Sequence, residues 1–374
     1  MIRIICVSGA RPNFVKIASI VRALDKHGGF HRLLVHTGQH YDDNMSKLFF
    51  EELNIPAPDM NLGVGSASQA VQTAEVMRRF EPVVLDFKPD YVLVVGDVNS
   101  TIACGLVAVK LGVKVAHVEA GLRSFDRSMP EEINRVLTDS ISSLLFVTEQ
   151  SAIANLLKEG IHPDKVHFVG NVMIDTLLSN RRKAECSDIL ERLGLLPKSY
   201  GVITLHRPSN VDDKNVFDGI LKAFEEIQKE IKLVFPVHPR TYARIKENGF
   251  SDIVSRMKNL VLLEPLGYLD FLQLTDKAFL VMTDSGGIQE ETTILKVPCL
   301  TLRNNTERPV TITEGTNKLV PPTMDGILAS YREVKNNVDN IISKTPELWD
   351  GKSADRIIEL VYQDWKRSHS HSPL

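Results

Sequence analysis

"RIICVSGARPNFVKIASIVRALDKHG", residues 3–28, decides how the chain folds. Ile4 to Val7 are apolar without interruption, so a strand there buries both of its faces. A polar turn follows. From Pro12 onward the apolar residues recur at three- and four-residue spacing, the period of an amphipathic helix. A strand covered on both faces and followed by a helix is half of a βαβ unit in a parallel sheet. The alternation continues through "HRLLVHTG" (31–38), "YVLVVGD" (91–97), "KVAHVEA" (114–120), "LLFVTE" (144–149) and "VHFVG" (166–170). It resumes with "YGVITLHR" (200–207), "KLVFPVH" (232–238), "LVLLEP" (260–265), "FLVMTDSGG" (279–287) and "VPCLTLR" (297–303). The more polar stretch 177–200 separates the two series as a crossover. The expected fold class is therefore α/β, with two doubly wound domains facing each other across a cleft.

The global numbers agree. A chain of 374 residues is too long for one compact core and fits two domains. With 43% hydrophobic and 24% charged residues the composition is that of a soluble globular protein. A net charge of −3 gives no electrostatic case for a nucleic-acid partner or an anionic membrane surface. Cys6, Cys104, Cys186 and Cys299 are far apart and form no CxxC pair, so they are expected to be buried, reduced thiols rather than zinc ligands. The N-terminal apolar run is too short for a signal peptide, and no apolar stretch reaches the roughly 20 residues of a membrane span. A cytoplasmic protein is expected.

In doubly wound sheets, ligands bind outside the carboxyl ends of the strands. There this chain places "GARPNFVK" (9–16), "TGQHYD" (37–42), "GDVNST" (96–101), "HVEAGLR" (117–123), "LHRPSN" (205–210), "VHPRT" (237–241), "DSGGIQEE" (284–291) and "RNNTERP" (303–309). A purely structural protein has no reason to end eight strands in polar groups.

"TDSGGIQEE" (283–291) is the clearest of these. Ser285, Gly286 and Gly287 lie between a strand and a helix expected to begin near Ile288. Glycines allow close approach of backbone N–H groups to a phosphate, and the helix N-terminus adds partial positive charge. The plainer alternative is an N-cap and a turn. Glu291 either complements the helix dipole or accepts both hydroxyls of a ribose. Arg308 is then a phosphate counter-charge or a solvated loop residue. After the first strand there is no GxGxxG and no P-loop, so no dinucleotide fingerprint is present. Pro12 suits a first helical turn. Arg11 and Lys16 either face an anion at the strand ends or lie at the surface.

The stretch 117–135 carries the largest concentration of charge. "SMPEE" (128–132) fits a capping box, with Ser128 at the N-cap and Glu131 three residues on. Arg135 is spaced to pair with Glu131. Glu119 has no such explanation. It ends an apolar strand, where an acid either pairs with a base or performs chemistry. Asp97 poses the same choice one strand earlier, against an N-cap for the helix that follows.

Taken together and in this order, "GARPNFVK", "TGQHYD", "GDVNST", "HVEAGLRS", "MPEEINR", "LHRPSN", "DSGGIQEE" and "NTERP" resemble the non-hydrolysing UDP-N-acetylglucosamine 2-epimerases over essentially the full chain. The resemblance implies a glycosyltransferase B type fold of two Rossmann-like domains. The N-terminal one would be residues 1–172, joined by a C-terminal helix within 354–374, where "ADRIIELVYQDWKRS" is amphipathic. The UDP-binding one would be residues 173–353. It implies that Asp97, Glu119 and Glu131 surround C2 of the sugar with Arg135 and His206 beside them. It places Arg11 and Lys16 near the diphosphate or sugar, and Ser285, Gly286, Gly287, Glu291 and Arg308 on the nucleotide. Gln39 and His40 match part of the regulatory UDP-N-acetylglucosamine site of bacterial members, although "NLGVGSASQ" (61–69) offers no basic partner. Val310 stands where many members carry glutamate. A UDP-sugar substrate, no cofactor, no metal and a homodimer are implied.

The residue types suit that chemistry. C2–H of an N-acetylhexosamine is not α to a carbonyl. Epimerisation through oxidation of a neighbouring carbon needs a nicotinamide site, which the missing fingerprint disfavours. Elimination of UDP across C1–C2 gives 2-acetamidoglucal and needs carboxylates on both faces together with fixed donors for the leaving diphosphate. Related alternatives are a 2-epimerase of UDP-2,3-diacetamido-2,3-dideoxy-glucuronic acid, a hydrolysing epimerase, a glycosyltransferase, and a non-catalytic sugar-nucleotide sensor.

Overall fold

The computed structural model describes residues 1–38, 51–337 and 343–370. The chain divides into two compact units, residues 1–179 with 347–374, and residues 180–346. The helix Val172–Ala184 runs across the first division point.

The first unit holds seven strands: β1 (Ile2–Ser8), β2 (Phe30–His36), β3 (Met60–Asn61), β4 (Tyr91–Val95), β5 (Lys114–Ala120), β6 (Leu144–Val147) and β7 (Val166–Phe168). They are ordered β3-β2-β1-β4-β5-β6-β7, every neighbouring pair parallel. The second unit holds β8 (Tyr200–Thr204), β9 (Lys232–Pro236), β10 (Leu260–Leu263), β11 (Leu280–Thr283), β12 (Cys299–Leu302) and β13 (Asn317–Val320). Their order is β10-β9-β8-β11-β12-β13, again all parallel. β3 and β13 are the strands that the apolar runs do not announce. The first is two residues long, and the second is the short, half-polar "NKLV" at a sheet edge, where burial of both faces is not required.

In each sheet the strand order reverses once, between β1 and β4 and between β8 and β11. These are topological switch points, where two neighbouring loops diverge and leave a crevice at the strand ends. "GARPNFVK" and "GDVNST" flank the first; "LHRPSN" and "DSGGIQEE" flank the second. Apolar strands anchor the loops at the sheet ends. β4 is buried at all five positions, and the helices that cover it pack Val76, Phe80, Val83, Val107 and Ala108 against the sheet. In the second unit Phe217, Ile220, Phe224, Phe235 and Met282 share one core.

The final helix, Ser353–Ser370, packs on the first helix, Arg11–His27, within the first unit. Asp175 accepts hydrogen bonds from the Ser353 and Ala354 amides at 3.1 and 2.7 Å, capping it. Lys26 pairs with Asp355 at 3.2 Å, and the His27 and Tyr362 rings meet edge-on. Cys6, Cys104 and Cys299 are buried as expected, but Cys186 is exposed, because it lies just after the helix Val172–Ala184 rather than in a strand. Among the described residues no helix is long and apolar enough to cross a membrane.

Candidate functional site

In the first unit, the adjoining ends of β4 and β5 gather the acids. Val95 pairs with Val118, so Gly96-Asp97 and Glu119 leave the sheet side by side. Glu119 has φ of +72° and sits where the β5–β6 register shifts between Val118 and Ala120. A bulge re-aims a side chain, and a non-glycine residue in the left-handed region costs about 1–3 kcal/mol, retained where the surroundings enforce it. The Glu119 carboxylate is buried and lies 2.6 Å from the Lys16 ammonium. Lys16 in turn crosses close to Gly96, where a Cβ would stand 2.9 Å from its Nζ. The helix carrying Lys16 is anchored through Asn13, whose side chain accepts from the Gly9 and Ala10 amides and donates to the Val95 carbonyl. Lys16 is therefore a buried partner of Glu119, not a surface lysine. Arg11 opens the same helix.

Asp97 does not cap the helix Asn99–Lys110; Val98 takes that position and no side chain caps it. The Asp97 carboxylate instead binds Arg135, and its carbonyl accepts from Asn134 at 2.9 Å. The expected capping box is absent too. The helix runs Pro130–Ile141 with Met129 at its N-cap, and the Ser128 hydroxyl is taken by Asp126 at 2.6 Å. Glu132, rather than Glu131, holds this turn, accepting from the amides of Ser124 and Phe125 at 2.9 and 3.0 Å. Arg135 pairs with Glu132 at 3.0 Å, so its expected pairing with Glu131 is replaced. Glu131 is half-buried, and it lies one turn before Arg135 on the same helix face. Arg135 thereby ties the helix bearing Glu131 to the strand end bearing Asp97.

Behind these acids lies a network with no signature in the sequence. Asp139, on the same helix, faces the His117 Nδ1 at 2.7 Å, accepts from the Gly121 amide at 3.0 Å and pairs with Arg123 at 2.7 Å. His117 Nε2 lies 2.8 Å from the Gly96 carbonyl, and Arg123 forms a two-pronged pair with Glu159 at 2.8 and 2.6 Å. Burial opposes the charge on Asp139, but His117 and Arg123 outweigh it and hold the carboxyl below its usual range.

In the second unit, β8 delivers His206 and β11 delivers Asp284. The buried Asp284 carboxylate lies 3.0 Å from His206 Nδ1 and accepts from the backbone amides of His206 and Arg207 at 3.1 and 2.9 Å. Burial works against that charge, while the His206 ring and the two amides prevail and lower the carboxyl. The His206 side chain is 43% exposed, so it is not a core histidine. Asp284 fixes which of its nitrogens faces outward.

The helix after β11 begins at Gly286, with Ser285 as N-cap and no side-chain cap bond. It starts two residues earlier than the sequence suggests. Glu291 consequently falls in the second turn and is not a first-turn partner of the dipole. Burial, joined by the charge of Glu290, pushes the Glu291 carboxyl up to about 8, with the Tyr268 hydroxyl working the other way. Arg308 is buried, pairing with Glu290 at 2.7 Å and with Glu307. A Cβ on Gly286 would lie 2.5 Å from Arg308 Nη1, so glycine is required for the guanidinium to reach the helix start. Arg303 also binds Glu307, at 2.9 Å. Gly287 follows within the first turn. Gln39 and His40 lie outside the described residues.

Two Rossmann-like α/β units, each with polar side chains gathered at its switch point, define the glycosyltransferase B type of nucleotide-sugar protein. The sequence profile of UDP-N-acetylglucosamine 2-epimerase matches residues 22–362, and the chain belongs to that family. It is 46% identical over 363 residues to the UDP-N-acetylglucosamine 2-epimerase of Methanocaldococcus jannaschii, covering 95% of this chain and 97% of that one. The solved structure of the M. jannaschii enzyme in complex with UDP-GlcNAc and UDP superposes with a TM-score of 0.89, over 97% of this chain and all of that one, at 43% identity. A UDP-2,3-diacetamido-2,3-dideoxy-D-glucuronate 2-epimerase of Pseudomonas aeruginosa is 39% identical over 96% of this chain and 99% of its own.

Proposed function

We propose that the protein interconverts UDP-N-acetylglucosamine and UDP-N-acetylmannosamine by elimination and re-addition of UDP. A carboxylate removes the C2 proton, the C1–O bond breaks anti to it, and the electron pair leaves with UDP. The C1=C2 bond of 2-acetamidoglucal results. Protonation of C2 from the opposite face and return of the UDP oxygen to C1 give the epimer. The observation that carries this reading is the delivery of Glu119, in a left-handed backbone conformation, beside Asp97 at the joined ends of β4 and β5.

Asp97, Glu119 and Glu131 are assigned to the two faces of C2, with Arg135 and Lys16 fixing the first two by ion pairs. Ser285, Gly286 and Gly287 offer amides to the diphosphate, and Glu291 accepts from the ribose hydroxyls. Arg11 is assigned to the diphosphate or sugar, and Arg308 to the nucleotide. His206, half-exposed and held by Asp284, is assigned to the diphosphate or sugar. The similarity to the M. jannaschii enzyme supports the sugar, and no step needs a redox cofactor or a metal. A second reading, epimerisation of the diacetamido uronic acid, is supported by the P. aeruginosa relative. Incubation with each UDP-sugar and proton NMR of the C1 and C2 signals decides between them. UDP-N-acetylglucosamine and UDP-N-acetylmannosamine should reach one equilibrium mixture from either side. Inertness toward both, with turnover of the diacetamido sugar, would overturn the first reading.

We further assign the protein to a reducing cytoplasm, in keeping with four free cysteines of which one is exposed, and to a homodimer. Light scattering tests the dimer: a monomeric mass would refute it.

A further inference from the structure

The turn that carries Glu119 is contacted on both sides by one side chain from a helix. Glu119 lies between His117 and Gly121, and the Asp139 carboxylate engages both of them, the ring at 2.7 Å and the amide at 3.0 Å. It also pairs with Arg123, two residues further on, at 2.7 Å. One side chain from a helix thus grips the strand before Glu119, the turn after it, and the start of the next loop. Every member is enclosed: His117 and Asp139 are 0% and 1% exposed. Gly121 itself has φ of +77°, and a Cβ there would stand 2.6 Å from the Ala152 carbonyl, so two departures from extended backbone, at Glu119 and Gly121, are packed into this turn. His117 extends the grip to β4 through the Gly96 carbonyl, one residue before Asp97. The same network therefore references both strand ends that carry acids.

We infer that Asp139 is a positioning residue for Glu119, acting through His117, Gly121 and Arg123 and touching no substrate. The inference rests on the assignment of Glu119 to the C2 proton. Its physical content is that a buried, fully used carboxylate holds the Glu119 backbone in a conformation the residue does not favour by itself. A misplacement of about 1 Å at a reacting group can cost on the order of 10²-fold in rate. Loss of such an outer partner typically costs roughly 10–100-fold in metal sites, where the same logic has been measured.

The test compares Asp139→Asn, His117→Asn and Glu119→Gln in the full chain. Asparagine at 139 keeps the shape and one acceptor but gives up the charge that serves three donors. His117→Asn keeps a donor near the Nδ1 position and gives up the bond to Gly96. Three quantities are read: kcat and KM for UDP-N-acetylglucosamine, UDP affinity by calorimetry, and deuterium wash-in at C2 in D2O. Positioning predicts that Asp139→Asn lowers kcat and wash-in together by about 30- to 100-fold, with KM and UDP affinity within roughly threefold of the parent. His117→Asn should show the same pattern at about tenfold. A folded Asp139→Asn with parental kcat would overturn the inference, as would equal losses in kcat and UDP affinity. If Asp139→Asn does not fold, His117→Asn decides by the same criteria; failure of both to fold makes the network structural and overturns the positioning role. Wash-in at the parental rate in Glu119→Gln would refute the assignment of the base itself, whatever the Asp139 variant does.

Discussion

Glu119 in the first unit and Glu291 in the second are both buried glutamates near a switch point, 2% and 3% exposed, yet their surroundings differ in kind. Glu119 has a lysine ammonium 2.6 Å away and a backbone held out of its preferred region. Glu291 sits on a regular helix with another glutamate next to it in sequence, and its carboxyl is raised to about 8. Equal burial therefore produces two different acids. One has a built-in counter-charge in the Lys16 ammonium. The other is raised by burial and by the charge of Glu290.

The largest effect that tests this contrast is at Glu119. Glu119→Gln keeps shape and removes the base, so epimerisation should fall on the order of 10³-fold or more, with UDP affinity unchanged. A matching fall in UDP affinity would erase the division between the two residues. Next is His206→Asn. The half-exposed ring should lower turnover by roughly 10²-fold while the melting temperature moves little, because Asp284 keeps its backbone donors. A large drop in melting temperature with near-normal turnover per folded molecule would make His206 structural.

Glu291→Ala should leave the fold intact and weaken UDP roughly 10- to 100-fold, the loss of charge-assisted hydrogen bonds to ribose. The raised carboxyl adds a sign. If the ionised form accepts from the hydroxyls, UDP binding at pH 7 releases protons, and affinity climbs as pH rises through about 8. Calorimetry in two buffers of different ionisation heat measures the release; proton uptake would contradict the assignment. The smallest effect is on stability. A carboxyl raised from 4.5 to about 8 binds a proton more tightly in the folded state, so its stabilising contribution is full below about 4.5 and declines as pH rises toward 8. Glu291→Gln should therefore gain in melting temperature relative to the parent between pH 5 and pH 8. A constant difference would place the perturbation elsewhere.

The fold was legible where burial on both faces leaves only apolar residues, which is why β1, β4, β5 and β8 stand out, and illegible at the edge strands β3 and β13. Candidate site residues were legible where a polar group interrupts such a run, as at Asp97, Glu119 and His206. Local chemistry misled at the helix from Pro130: Ser128 and Glu131 have the spacing of a capping box, yet Asp126 takes the serine and Glu132 takes the turn. Asp139 and Asp284 were not legible as organisers. Their importance comes from partners 16 to 22 and 77 to 78 residues away in sequence, contacts that only the folded sheet creates.

Elimination across C1–C2 requires that C2 lose its proton to the protein in every turnover. Following the wild-type reaction in D2O by NMR tests it most directly. Deuterium should appear at C2 of both epimers at equilibrium, with traces of 2-acetamidoglucal and UDP when the intermediate escapes. Full equilibration of the epimers with protium retained at C2 would contradict it.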